Sequence, residues 1–166
     1  MIESMAESGL LIIIGLLTAL GSGLACGFYL TFSASIMSGL DRLGPSAATR
    51  GMQSFNITVV RPPLMTVLFG TGLLSIVLII VALITSTGSS TWLLIIGAVI
   101  YLVGSPILTM AYHVPRNNAL DQTDPDGPEI AERWGRYNRE WTGANHLRTL
   151  ASGIATVLLI LGLVGL

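Results

Sequence analysis

The sequence predicts an all-α fold: an integral membrane four-helix bundle, one domain over residues 1–166, with a long fourth helix projecting beyond the membrane. Three observations predict it. The chain is 52% hydrophobic and 10% charged with a mean hydropathy of +0.75, more apolar than a soluble domain of 166 residues requires. No charge lies between Glu7 and Asp41, between Arg61 and Arg116, or after Arg148. From Asp126-Gly127-Pro128-Glu129, a helix start with a cap and a proline in the first turn, nothing breaks the helical pattern to the end.

Helix one is expected over about 8–39. Its leading residues carry Glu3 and Glu7 where a signal peptide carries basic residues, and its apolar stretch is too long for one, so it reads as a retained helix. The gap from Arg61 to Arg116 holds two helices, because one helix over it would be about 80 Å long against a hydrocarbon core of about 30 Å. The polar run from Thr85 to Thr91 supplies the break, giving helices over about 63–85 and 91–113. Helix four is expected over about 129–165. Arginine gathers in the loop before helix two and in the segment before helix four, so the positive-inside rule puts those loops in the cytoplasm and both termini outside, most simply in a bacterial inner membrane.

Several classes are excluded. A net charge of −1 leaves no basic surface for nucleic acid. The single Cys26 allows neither an internal disulfide nor a CxxC site and reads as a small packing residue. There is no P-loop, dinucleotide fingerprint or haem motif. Acids at alternate positions from Asp121 to Gly127 have the look of a calcium loop, but Pro125 and the missing distal Glu favour a polar turn. A transporter would need an inverted repeat or a midplane charge, and neither is present. Gly23 and Gly27 form a GxxxG pattern that serves close packing within the bundle or in a homo-oligomer.

On the helix-four wheel, Trp134, Tyr137, Asn138, Trp141, Asn145, Arg148 and Ser152 fall on one side. Glu129, Glu132, Arg136, Arg139 and Glu140 fall on the other, a solvated face with Glu129–Arg133 and Glu132–Arg136 at i,i+4. Polar side chains also converge at the end of the bundle where helices one and three finish and two and four begin. Tyr29, Gln53, Asn56, His113, Asn117, Asn118, Asn145, His146 and Arg148 gather there. Polar groups at membrane depth are costly unless they pair or line a wet cavity, so a pocket open toward the cytoplasm is expected. Trp134 and Tyr101 read instead as interfacial anchors.

The stretches Ala25–Ser33, Met52-Gln53-Ser54-Phe55-Asn56 before Pro62-Pro63, His113-Val114-Pro115-Arg116-Asn117-Asn118-Ala119-Leu120, and Trp134-x-x-Tyr137-x-x-x-Trp141-Thr142-x-x-Asn145-His146-x-Arg148 carry a family likeness. Over about residues 10–155 the chain resembles the anthrone oxygenase-like family of small four-helix membrane proteins. It departs from the family pattern at His113, where Asn is usual, and at Arg116, where an apolar residue is usual. The resemblance implies oxidation of an anthrone to an anthraquinone.

An anthrone has an acidic methylene, and its anion reacts with dioxygen directly, so no cofactor and no metal are expected. A base and an anion stabiliser suffice. His146 is the expected base, because an imidazole titrates near neutrality. Arg148, Asn145 and Asn117 are the expected holders of the phenolate or peroxide. Trp141, Tyr137 and Phe55 would wall a flat substrate, with Tyr29, Gln53, Asn56, His113 and Asn118 completing the pocket. His146 lies about 100° from Asn145 on the wheel, so both reach one pocket only at a corner between two helices. His113 and His146 could alternatively share a metal with Asp121 or Glu140, although no ligand spacing fixes them. The rival to an enzyme is a lipid- or quinone-binding membrane protein, or a small subunit of a membrane complex.

Overall fold

The computed structural model describes residues 2–85 and 88–166, with side chains from residue 9 onward. Ser86 and Thr87, in the expected break between helices two and three, and the side chains of Glu3 and Glu7 lie outside the described residues. Among the described residues the fold is all-α. Four helices are long and apolar enough to cross a membrane: α1 (Gly9–Asp41), α3 (Pro62–Thr85), α4 (Ser89–Asp121) and α5 (Ile130–Val164). A shorter helix, α2 (Pro45–Val59), lies between the first two. In the bundle α1 packs against α5 and α3, and α4 packs against the same two.

Two elements depart from the sequence reading. The segment between helices one and two, expected as loop, forms α2, which starts where Gly44 takes φ 85° and Pro45 occupies the first turn. Its apolar residues are too few to mark a span, and one side of it is covered: Ala48, Thr49, Met52 and Asn56 are buried, whereas Ala47, Arg50, Ser54 and Ile57 are exposed. Helix α4 continues past the expected end at 113 to Asp121 and carries two prolines. Pro106 sits in a π-helical turn, Val103–Ile107, and a second such turn, Thr109–His113, precedes Pro115. A π turn shifts the hydrogen-bond register, which accommodates the missing proline N–H and its ring.

The interior has three layers. At one end the core is aliphatic, with Leu11, Ile14, Leu78, Leu94 and Leu159. In the middle, Ala25, Tyr29, Leu68, Tyr101 and Ala155 pack together. At the other end the core is aromatic, built from Phe32, Trp134, Tyr137 and Trp141 against Met52 of α2. Outward faces carry Leu16, Leu20 and Leu24 on α1, Leu73, Ile76 and Ile80 on α3, Ile96, Val99 and Val103 on α4, and Leu150, Val157 and Leu161 on α5. These apolar faces are what lipid covers in a bilayer. At 35 residues α5 is about 52 Å long, so it overhangs a core of about 30 Å. Its outward apolar residues begin at Leu147, which marks Ile130 to about His146 as the overhang.

Trp134 and Tyr101 are buried and do not anchor at an interface. Trp134, 2% exposed, donates from Nε1 to Asp41 Oδ1 at 2.7 Å. Tyr101, fully buried, donates to the Leu68 carbonyl at 3.3 Å. Each ring is packed between helices, and its polar tip has a partner inside the protein.

Small residues set the helix spacings. Gly23 of the GxxxG pattern faces Thr156 of α5, and Gly15 faces Leu163, so these glycines serve packing within the chain. A Cβ added at Gly104 would lie 2.2 Å from Ala151 Cβ, whereas one at Gly27 would meet nothing within 4 Å. We expect Gly104→Val to lower the stability of the detergent-solubilised protein by about 1–3 kcal/mol through overpacking. Gly27→Ala should leave stability unchanged or raise it by up to about 1 kcal/mol. Thermal unfolding of both variants reads the difference.

Candidate functional site

Near the polar end of the bundle lies a cavity of about 200 Å³. Its floor is Ala25, Tyr29 and Leu68; its aromatic wall is Phe28, Phe32, Phe55 and Trp141; its polar wall is Thr109, His113, Asn117, Asn118, Asp121 and Arg148, with Asn56 opposite. Helix α2 roofs it. Gln53 Nε2 donates to the carbonyls of Leu120 (2.9 Å) and Thr123 (3.1 Å), capping the end of α4, and Asn56 Nδ2 donates to Asp121 Oδ1 at 2.8 Å. Arg50 and Ser46 bind Asp126 in the α4–α5 turn, and these bonds hold the exposed Asp126 carboxyl below the usual carboxylate range. The stretch from Asp121 to Gly127 is thus a polar turn whose Asp124 Oδ1 accepts from the Asp126 N–H.

The helices widen where they meet the cavity. Of the four π-helical segments among the described residues, three contribute lining residues: Phe32 from Phe32–Ile36, Leu68 and Phe69 from Thr66–Gly70, and Thr109 and His113 from Thr109–His113. The fourth, Val103–Ile107, supplies Ser105, which shares a 2.8 Å hydrogen bond with Tyr29 Oη. Such turns place side chains and free backbone groups that a regular helix would not. Next to the first of them, the Tyr29 carbonyl accepts from Asn145 Nδ2 at 2.7 Å, and Ser33 Oγ accepts from the same nitrogen at 2.6 Å.

Arg148 is the centre of the polar wall. It is 5% exposed and donates from Nε (3.1 Å) and Nη2 (2.6 Å) to Asn145 Oδ1 and from Nη1 to Thr109 Oγ1 at 3.1 Å. Its guanidinium lies 4.4 Å from the Tyr29 ring centroid and 5.2 Å from that of Trp141. All these partners are neutral. The ion pairs among the described residues are Arg50–Asp126, Arg116–Glu140, Arg133–Glu129 and Arg136–Glu132, so Arg148 is a buried cation with no carboxylate against it. A buried charge is costly unless paired. A cavity wall holding one by neutral hydrogen bonds and ring faces has the chemistry to accept an anion.

Asn117 is oriented by two donors, Tyr137 Oη at 2.9 Å and Trp141 Nε1 at 3.0 Å, both of which bind its Oδ1. An indole N–H can only donate, so the amide orientation is fixed and Nδ2 remains available to a ligand. His113, 1% exposed, stands edge-on to Trp141 at 5.3 Å and 89°. The Leu108 and Trp141 carbonyls approach its ring, yet neither ring nitrogen completes a hydrogen bond of ordinary geometry. Among the described residues no three His, Cys, Asp or Glu side chains are grouped to hold a metal ion.

Of the residues expected at the site, Tyr29, Phe55, Asn56, His113, Asn117, Asn118, Trp141 and Arg148 line the cavity. Asn145 and Tyr137 stand behind it and position Arg148 and Asn117. Gln53 is a helix-capping residue beside it. His146 is elsewhere: it is exposed, in an open groove with Ser33, Asp41, Asn138 and Thr142. The angular offset on α5 is the reason, because Asn145 and Arg148 turn toward α1 and α4 while His146 turns out beside α1. His113 and His146 therefore share no pocket. Sequence reasoning missed Thr109, Ser105 and Phe32. Thr109 stands four residues before His113, a spacing that puts both on one face of α4 and could have found it.

The sequence model of the family described as "Anthrone oxygenase" matches residues 63–158. That stretch holds His113, Asn117, Trp141, Asn145 and Arg148, while Tyr29, Phe55 and Asn56 precede it. No curated protein and no solved structure matches the chain. The match covers more than half of the chain, and the protein belongs to the anthrone oxygenase family.

Proposed function

We propose that the protein is a membrane-embedded oxygenase that converts the activated methylene of a flat, hydrophobic, phenolic or anthrone-like molecule to a ketone inside this cavity, at the cytoplasmic side of the membrane. The single observation that carries this reading is Arg148, a buried cation without a carboxylate partner in an aromatic-walled cavity. An anthrone in its phenolate form supplies the missing negative charge and a ring system for Phe32, Phe55 and Trp141.

The chemistry balances without a further reactant: a methylene and a molecule of dioxygen give a ketone and a molecule of water. A base removes one methylene proton, leaving an anion delocalised onto the phenolate oxygen. Arg148 and the Asn117 amide stabilise that oxygen, as fixed donors do in oxyanion sites. The carbanion passes an electron to dioxygen and the two radicals join, forming a C–O bond. Protonation of the peroxide, loss of the second C–H proton and cleavage of the O–O bond leave the ketone and release water. The substrate supplies all the electrons, so these steps call on no flavin, haem or metal.

The base in this reading is His113, the imidazole that lines the cavity. His146, the base expected from the sequence, is exposed in a separate groove and has no part in it. We expect His113→Ala to lower oxygen-dependent product formation about 100-fold or more, the usual contribution of a general base, and His146→Ala to leave it within about twofold. Anthraquinone formation by the two purified variants, corrected for spontaneous oxidation, tests this. Full activity in His113→Ala with loss in His146→Ala would return the base to the exposed groove.

A further inference from the structure

We infer that the cavity exchanges its ligand with the bilayer interior, through a sideways mouth between α3 and α4, and not with the aqueous phase. The mouth is visible in which lining residues are exposed. Phe69 (44%) on α3 and Val114 (42%) on α4 line the cavity and also face outward, with Leu64 half-buried beside them and Val60 (63%) in the link from α2 to α3. All four are apolar. They continue directly into outward apolar faces, through Leu73 and Ile76 on α3 and through Met110 and Ile107 on α4. Among the described residues no hydrogen bond or ion pair joins residues 60–70 to residues 109–118. In the opposite direction the roof helix α2 is fastened to the end of α4 and to the following turn by Gln53, Asn56, Ser46 and Arg50.

A mouth of this composition selects its traffic. An apolar rim at bilayer depth admits a molecule already dissolved in lipid at no cost in desolvation, whereas it offers a hydrated one nothing to hold. The polar corner of the rim is Asn118 and Asp121, both exposed, at the level where α4 leaves its apolar stretch. A ligand entering there keeps a hydroxyl or carbonyl at headgroup level while its rings pass between Phe69 and Val114 toward Trp141 and Arg148. The class this fits is an amphipathic aromatic molecule that partitions into membranes. The inference rests on reading the cavity as the ligand site, but not on turnover.

The test uses Trp141, which is 4% exposed and lines the cavity. The chain has three tryptophans, and the double variant Trp92→Phe, Trp134→Phe keeps Trp141 alone. The full-length protein is placed in nanodiscs of phosphatidylcholine brominated on the acyl chains, and its emission is compared with that in unbrominated lipid and with aqueous acrylamide. Trp141 stands on the overhanging part of α5, so we expect brominated acyl chains to quench it by entering the mouth, and acrylamide to remove little of its emission. Quenching by acrylamide without quenching by brominated lipid, or by neither, overturns the inference. Should the double variant not fold, the difference between Trp92→Phe and Trp92→Phe, Trp141→Phe isolates the same signal. Because fluorescence needs no catalysis, failure here is distinguishable from failure of the oxygenase reading.

Discussion

Replacing Arg148 by Met should lower the rate of anthrone oxidation by about 100- to 1,000-fold, the usual effect of removing one oxyanion donor, while leaving the protein as stable as before or more so. The two halves of this expectation have one cause. In the resting protein Arg148 is a buried cation facing neutral groups, Asn145, Thr109, Tyr29 and Trp141. Holding an unpaired charge out of water costs several kcal/mol, and hydrogen bonds and ring faces recover only part of it. Methionine fills much of the same volume without that cost, although it leaves Asn145 Oδ1 short of a donor. A residue kept for structure would behave in the opposite way, with stability and activity falling together. Thermal unfolding beside steady-state rates separates the two.

Asn145→Leu should be the most destabilising single change at the site. Asn145 is fully buried and ties three elements together: its Nδ2 binds the Tyr29 carbonyl and Ser33 Oγ on α1, and its Oδ1 accepts two bonds from Arg148, which reaches on to Thr109 of α4. Leucine matches the amide in bulk but leaves Nε and Nη2 of Arg148 and the Tyr29 carbonyl without these partners. An unsatisfied buried group costs about 1–3 kcal/mol, and more when charged, so a loss of at least about 2 kcal/mol is expected. Adding Arg148→Met to Asn145→Leu should recover part of that loss, because the most costly orphan is then gone. Chemical or thermal unfolding of the three variants in detergent measures this coupling, and strict additivity would show that the two residues act independently.

Much of the fold was legible because the bilayer imposes a coarse rule. Runs without charge marked α1, α3, α4 and α5 to within a few residues at most ends, and the wheel of α5 placed Trp134, Tyr137, Trp141, Asn145, Arg148 and Ser152 on the side that is buried. The i,i+4 ion pairs of its solvated face are also present. Helix α2 was not legible, since a short helix half-covered by its neighbours has neither the length nor the apolarity that the rule detects. Nor was the extension of α4, because the charge-free run ends at Arg116 and the residues from there to Asp121 are mostly polar. At the site, composition located the polar end but could not choose between two imidazoles. His113 and His146 sit at similar depth in the sequence pattern, and only the rotation of each helix in the bundle decides which one meets the cavity. Trp134 and Tyr101 show the same gap from the other side: an aromatic with a polar tip suits a membrane interface and a buried hydrogen bond equally well.

The central claim is that the cavity binds a phenolic polycycle as its anion against Arg148. The most direct measurement is an equilibrium titration of the purified, detergent-solubilised protein with 1,8-dihydroxyanthraquinone, a product-like molecule that does not turn over and whose phenolate absorbs at longer wavelength than the phenol. The account predicts saturable binding by the wild-type protein with growth of the long-wavelength band, and loss of that band in Arg148→Met. Absence of saturable binding, or an identical band in Arg148→Met, would contradict it.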